Sequence, residues 1–268
     1  MISINSLKNF AIINSTIFLL AFIQYFCSLY HITPIELFVL FVIRNYTLIR
    51  FIEYSTKDKP KINNNQLLMP TERYEYEFDI HVFTTTAVET MTHILIKKTF
   101  VFSDVNGFYS IVTFIPMSFL FEICFDFFHY FSHRLLHHKY LYKYFHKKHH
   151  TFKHPSAIIT FYQEPVDLVL TNSLPTIAAL YFCHQIVYRF SYFQFHLIII
   201  YKSFVEISGH CGSKMYPTSS FTQCIWLPKA LGIELYTENH DLHHSANHCN
   251  YAKRFSLWDK IMGTYKCE

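Results

Sequence analysis

FYSIVTFIPMSFLFEICFDFFHYFSHRLLH, residues 108–137, decides the fold class. Its first 21 residues hold no lysine or arginine; at 1.5 Å per residue a helix of that length spans roughly 30 Å, the depth of a bilayer's hydrocarbon core. No proline or glycine interrupts the stretch from Met117 to His137, so the helix continues past the apolar part. There it presents His129 and His133, four residues apart and on one face, and His137 extends that face by another turn. Glu122 and Asp126 lie upstream on the same face, at a spacing where a carboxylate can accept the second ring N–H of a ligand histidine and fix its tautomer. A helix that is apolar over a membrane's depth and then carries a row of imidazoles predicts an integral membrane protein with a metal site at the end of a span.

The remaining chain extends this pattern. Phe10–Tyr30 is too long for the apolar part of a signal peptide and reads as a retained span. A second apolar stretch follows Pro34 and runs to Ile52, with Arg44 and Arg50 expected to snorkel or mark the interface. Residues 53–79 are polar, with an Asn run, and read as an extramembrane linker. Residues 80–96 are weakly apolar and precede a polar turn at Asp104, Asn106 and Gly107. Two further apolar stretches, 165–183 and 187–205, are joined by His184, Gln185 and Ile186, a join short enough to form a hairpin. Such a hairpin returns the chain to the side it left, so that segments before residue 155 and after residue 239 can meet. The sequence therefore predicts an all-α integral membrane protein, a bundle of four to six transmembrane helices with a histidine-rich helical cap. Residues 1–107 are expected to form the anchoring spans and linker and 108–268 the histidine-bearing domain. Arg134, Lys139, Lys143, Lys147, Lys148 and Lys153 put the cap on the cytosolic side; Lys97 and Lys98 pull the other way.

Composition agrees. Apolar residues make up 51% of the chain and charged ones only 16%, with 29 Phe and 20 Tyr, a membrane-like balance. A net charge of +4 is too small and too scattered for a nucleic-acid footprint. The seven cysteines, an odd number without a CxxC pair, indicate buried thiols and neither a disulfide framework nor a zinc knuckle.

Of the 18 histidines, 12 fall in the windows 129–154 and 240–248. His146-Lys-Lys-His149-His150 and His240-Asp-Leu-His243-His244 share one spacing, in which two histidines can face one ion while the adjacent third reaches another. Together with His129 and His133 these eight exceed the four-coordinate demand of a single ion, so two metals are implied. Imidazole suits zinc, copper, iron and nickel alike. The solitary His31, His81, His93, His184 and His196 are expected to be packing or interfacial residues, and His138, His154 and His248 surface or gate residues. A solvated or adventitiously metal-binding face is the plainer reading of the clusters, and a histidine-rich metal transporter or storage protein the main non-enzyme one; a transporter would place its ligands within several spans rather than at span ends.

The order HxxxH, HxxHH, HxxHH resembles the fatty acid hydroxylase and sterol desaturase superfamily. The resemblance runs from Phe121 to the C-terminus. It takes in Phe127-Phe128-His129, His133-Arg134-Leu-Leu-His137, Leu141-Tyr142 with Phe145-His146, Ser208-Gly209-His210, Asn250-Tyr251, Trp258-Asp259-Lys260 and Gly263-Thr264. Within it, LLHHK, FHKKHH, HDLHHS and WDKIMGT are most similar to the cholesterol 25-hydroxylase branch, with the methylsterol oxidases next.

The resemblance implies that His129, His133, His146, His149, His150, His240, His243 and His244 are metal ligands, His210 an additional one and His137 a further candidate, with Asp241 placed to orient a ligand. It also implies two iron ions, dioxygen and an endoplasmic-reticulum membrane location. Electrons would come from NAD(P)H through a membrane donor such as cytochrome b5 or its reductase. The expected reaction is hydroxylation of a sterol or related lipid, with C4-methyl oxidation or desaturation as alternatives; oxidising an unactivated C–H bond needs a metal that changes redox state, which zinc does not. The chain departs from the family at Gln163-Glu164-Pro165-Val166-Asp167. Glu164 stands in place of a histidine and Asp167 in place of a glutamate, which weakens the expectation of a ligand or ligand-orienting role there.

Overall fold

The computed structural model describes residues 4–63, 75–103, 108–215 and 220–267. Among them every regular element is helical, and β pairing is confined to isolated bridges, Lys61 with Ser213 and Ser103 with Ser191. The principal helices are α1 (Ile4–Leu29), α2 (Pro34–Thr56), α3 (Glu75–Thr99), α4 (Phe108–Leu136), α5 (Pro165–Val187), α6 (Tyr192–Gly209) and α7 (Thr237–Ala246). The polar turn read at Asp104, Asn106 and Gly107 lies outside the described residues, as does much of the 53–79 linker.

Local chemistry sets the boundaries. Thr33 and Glu36 cap α2 reciprocally: the Thr33 hydroxyl accepts from the Glu36 N–H (3.3 Å) and the Glu36 carboxylate accepts from the Thr33 N–H (2.7 Å), with Pro34 pre-set at the first helical position. Ser191 and Gln194 make the same box at the start of α6. Asn247 closes α7 at φ 63°, a left-handed conformation that Asn tolerates better than most residues.

Among the described residues, three helices are long and apolar enough to cross a membrane: Ser6–Leu29, Tyr109–Leu136 and Pro165–Val187. α2 and α3 are arranged inside out. Ile35, Val39 and Ile43 of α2 are exposed, whereas Arg44 is 4% exposed and Asn45 fully buried; on α3, Met91 and Leu95 face outward and Thr86 and Thr90 inward. Apolar side chains outside and paired polar ones inside suit a lipid surround, where an unpaired polar group is expensive. Arg44 therefore does not snorkel: it pairs with Glu89 at 2.6 Å inside the bundle, while Arg50 stays exposed.

α4 packs along α5, α1 along α6, and α2 on α3 and α6. The core between them is aromatic, with Phe121, Phe125, Phe190, Phe195 and Phe204 fully buried. The turn between the last two long helices falls later than the sequence suggests. Cys183–Val187 remains helical as a π-turn, and the chain reverses at residues 188–191 just before the Ser191 cap. The functional consequence survives: the end of α4, the 139–151 segment, the end of α6 and all of α7 gather at one end of the bundle.

Candidate metal centre

Nine histidines form two adjacent groups. His133, His137, His146, His150 and His243 make the first, His149, His210, His240 and His244 the second, and within each group the candidate ligand nitrogens lie within 4.8 Å of one another. Helical spacing decides the membership. The i,i+4 partners share a group (133 with 137, 146 with 150, 240 with 244), and the residue at i+3 is turned to the other. His149–His150 and His243–His244 thus each send neighbouring side chains to different groups, whose rings approach to 4.6 Å between His150 and His244.

The nitrogens that point inward are prepared for cations. His133 Nδ1 donates to the Tyr251 carbonyl (2.7 Å), and His146 Nδ1 donates to Asp167 Oδ2 (2.7 Å). Both partners can only accept, so the proton of each neutral ring sits on Nδ1 and each Nε2 carries a lone pair. Those two Nε2 atoms nevertheless face each other at 3.0 Å, an arrangement that repels unless a cation lies between or beside them. His243 Nδ1 donates in the same way to the Cys249 carbonyl (2.7 Å), which leaves its buried Nε2 with no protein partner among the described residues. The donor set therefore fits metal ions.

Burial, reinforced by neighbouring imidazoles and, at His240, more strongly by Lys253, holds His149, His150, His240, His243 and His244 well below the ordinary histidine range. His137 is pushed down to about 3 by burial and then His146. The rings are neutral at pH 7, the form that ligates.

The other candidates fall differently. His129 stands 5.0 Å from His133, ring centre to ring centre, but belongs to neither group. Its Nδ1 donates to the Thr171 carbonyl (2.6 Å) in the π-turn Val169–Ser173 of α5, and its buried Nε2 has no partner among the described residues. π-turns often mark functional sites because they leave carbonyls outside the regular ladder.

Glu122 and Asp126 do not orient the α4 histidines, as their spacing suggested. Asp126 accepts the backbone N–H groups of Lys253 (2.7 Å), Arg254 (2.9 Å) and Phe255 (3.0 Å). Glu122 pairs with the fully buried Arg254 at 2.8 Å, and Arg254 reaches on to Glu206. Carbonyls took the role instead, because the chain 249–255 folds back over the end of α4. Asp241 accepts from His154 Nδ1 (2.9 Å), a histidine outside both groups.

Asp167, at the position where the family resemblance was weakest, binds the grouped His146 directly in this way. Asp167→Ala is expected to weaken metal affinity roughly 10- to 100-fold by releasing His146; a metal titration with unchanged affinity would show that the contact does not orient the ring. Lys253 is a second residue that spacing could not reveal. It donates to His240 Nε2 (2.9 Å), sits 3.6 Å from Glu206, and is pulled down to about 8 by burial, with Glu206 opposing. Backbone carbonyls carry no side-chain signal, so Thr171, Cys249 and Tyr251 were invisible to sequence reading.

Beside the groups opens a small cavity of about 40 Å³, part of it continuous with the exterior, which reaches from His133, His146 and His240 toward Glu89, Phe161 and Ile207. Two of the solitary histidines behave as packing residues: His196 is held by Gln24 (2.9 Å) and Ser28 (3.0 Å), and His184 lies against Phe100 and Phe102.

The fatty acid hydroxylase family model matches residues 118–264, more than half the chain, and the protein belongs to that family. It is similar to the fatty acid hydroxylase vlmA of a Lecanicillium species, 35% identical over 154 residues that cover 54% of this chain and 40% of that one. A shorter stretch of 29 residues is 55% identical to cholesterol 25-hydroxylase of Rattus norvegicus, covering 11% of this chain and 10% of the relative. The chain thus spans less than half the length of either relative. No solved structure matches it.

Proposed function

We propose that the two histidine groups hold two iron ions and that the protein is a membrane hydroxylase acting on a sterol or related lipid with dioxygen. The observation that carries this reading is the pair of Nε2 lone pairs on His133 and His146 held 3.0 Å apart by fixed Nδ1 hydrogen bonds, within two adjacent all-imidazole groups. When bound, the ions supply the redox change that dioxygen chemistry requires. In balance, one C–H bond becomes C–OH, the second oxygen atom leaves as water, and two electrons and two protons come from a donor.

The chain's own residues do the rest. Asp167 and the Tyr251 and Cys249 carbonyls hold three rings in the ligating tautomer. Phe161, Leu168 and Ile207 give the cavity apolar walls that receive a hydrocarbon and exclude water. Lys253, bonded to His240 and beside Glu206, is placed to hold a proton at the edge of the second group. Electrons would arrive from NAD(P)H through cytochrome b5 or its reductase, on the lysine-rich face of residues 134–153, with the cap cytosolic in the endoplasmic reticulum.

Purified protein is expected to carry two iron ions per chain, and membranes containing it to convert a sterol to a hydroxylated product with dioxygen and reductant. Labile zinc with no oxidised lipid would support a metal carrier and overturn the proposal.

A further inference from the structure

A second small chamber, of about 30 Å³, adjoins the cavity beside the histidines; Glu89, Asn172 and Ser203 line both. It lies among α2, α3, α5 and α6, with Phe41, Ile96, Phe195 and Ile199 as apolar walls. Its polar lining is unevenly satisfied. Glu89 accepts from Arg44 Nη2 (2.6 Å) and Asn45 Nδ2 (3.0 Å), and Lys202 donates to Asn172. Arg44 Nε and Nη2 also reach Asn45 Oδ1 (3.1 and 2.8 Å).

Arg44 Nη1, by contrast, is buried with no partner among the described residues, and so are both ring nitrogens of His93. Arg44 is 4% and His93 3% exposed. Burying such groups unpaired is costly, and a guanidinium and an imidazole sharing one small chamber imply a polar occupant.

The geometry points to this chamber as the seat for the oxygen-bearing end of the lipid substrate, a hydroxyl group, whose apolar body then extends into the cavity beside the histidines. This rests on the hydroxylase reading and adds how the substrate is held. A hydroxyl oxygen can accept from Arg44 Nη1 while its O–H donates to the unprotonated nitrogen of His93, satisfying the guanidinium nitrogen and one of the two ring nitrogens at once. The guanidinium charge is already met by Glu89, so the incoming group need not be charged. An anchored polar end also fixes which carbon comes to rest at the metals.

The test is lipid binding by the full-length protein in nanodiscs, measured by displacement of a fluorescent sterol. Cholesterol is expected to bind roughly 10- to 100-fold more tightly than its 3-deoxy analogue. Arg44→Met and His93→Phe should each shrink that ratio toward one while leaving the 3-deoxy analogue's affinity unchanged. His93 makes no hydrogen bond among the described residues, so His93→Phe keeps the answer available if Arg44→Met disturbs the fold. Equal binding of the two sterols by the wild type, or an unchanged ratio in His93→Phe, overturns the proposal. If hexadecanoate outcompetes cholesterol, and only its preference over the methyl ester collapses in the variants, the seat takes a carboxylate and the hydroxyl assignment fails. Because binding is read without turnover, these outcomes are separate from the iron content and product formation that test the hydroxylase reading.

Discussion

His243→Ala is expected to abolish product formation and to lower metal affinity at least 100-fold, while His31→Ala leaves both near wild type. His243 is fully buried, its Nδ1 is committed to the Cys249 carbonyl, and its Nε2 points into the first group with nothing else to bind. Alanine deletes a ligand and leaves four imidazoles crowded around an incomplete shell, whereas loss of an outer partner alone costs about 10- to 100-fold. His31 lies exposed between α1 and α2 and touches none of this. Metal analysis and lipid product analysis on the same preparations check the pair; equal losses from both variants would mean that the clusters have no special role.

Asp126→Ala should be the most damaging change outside the histidines, costing at least about 3 kcal/mol of stability. The carboxylate is fully buried and accepts three consecutive backbone N–H groups, and each buried donor left without a partner costs about 1–3 kcal/mol. Asp259 does the same just upstream, accepting from the Tyr251 and Ala252 N–H groups at 2.9 Å. The two aspartates pin residues 251–255, which carry the carbonyl that fixes His133 and the amine that meets His240. Thermal unfolding and limited proteolysis should show the loss, with metal release accompanying it. Asp126→Asn, which keeps a carbonyl oxygen as acceptor, should lose less; stability equal to wild type in the alanine variant would refute the clamp.

Much of the candidate site was legible because its logic is periodic. HxxHH on a helical segment splits its histidines between two targets by geometry alone, and the two copies did so identically, His146 with His150 against His149, His240 with His244 against His243. His137, one further turn along α4, followed the same rule. Periodicity failed where tertiary contacts compete. Glu122 and Asp126 have the right spacing to hold ring nitrogens, but the returning chain at 253–255 brought three N–H groups and a guanidinium that needed them more. Asp167 lies 21 residues from His146, beyond the reach of any helical rule. In the fold, the apolar runs located α1, α4 and α5, and charge concealed the inward faces of α2 and α3, since Arg44 and Glu89 look like breaks in a span until their pairing is seen.

The neighbouring pairs His149–His150 and His243–His244 tie the two histidine groups together through single peptide bonds. Their separation is therefore set by covalent geometry more than by packing, and a breathing motion of the bundle would carry both positions along as one unit. Inserting one residue into either motif would rotate the downstream imidazoles by about 100° and leave both positions short of donors simultaneously, so the pair should be gained or lost together.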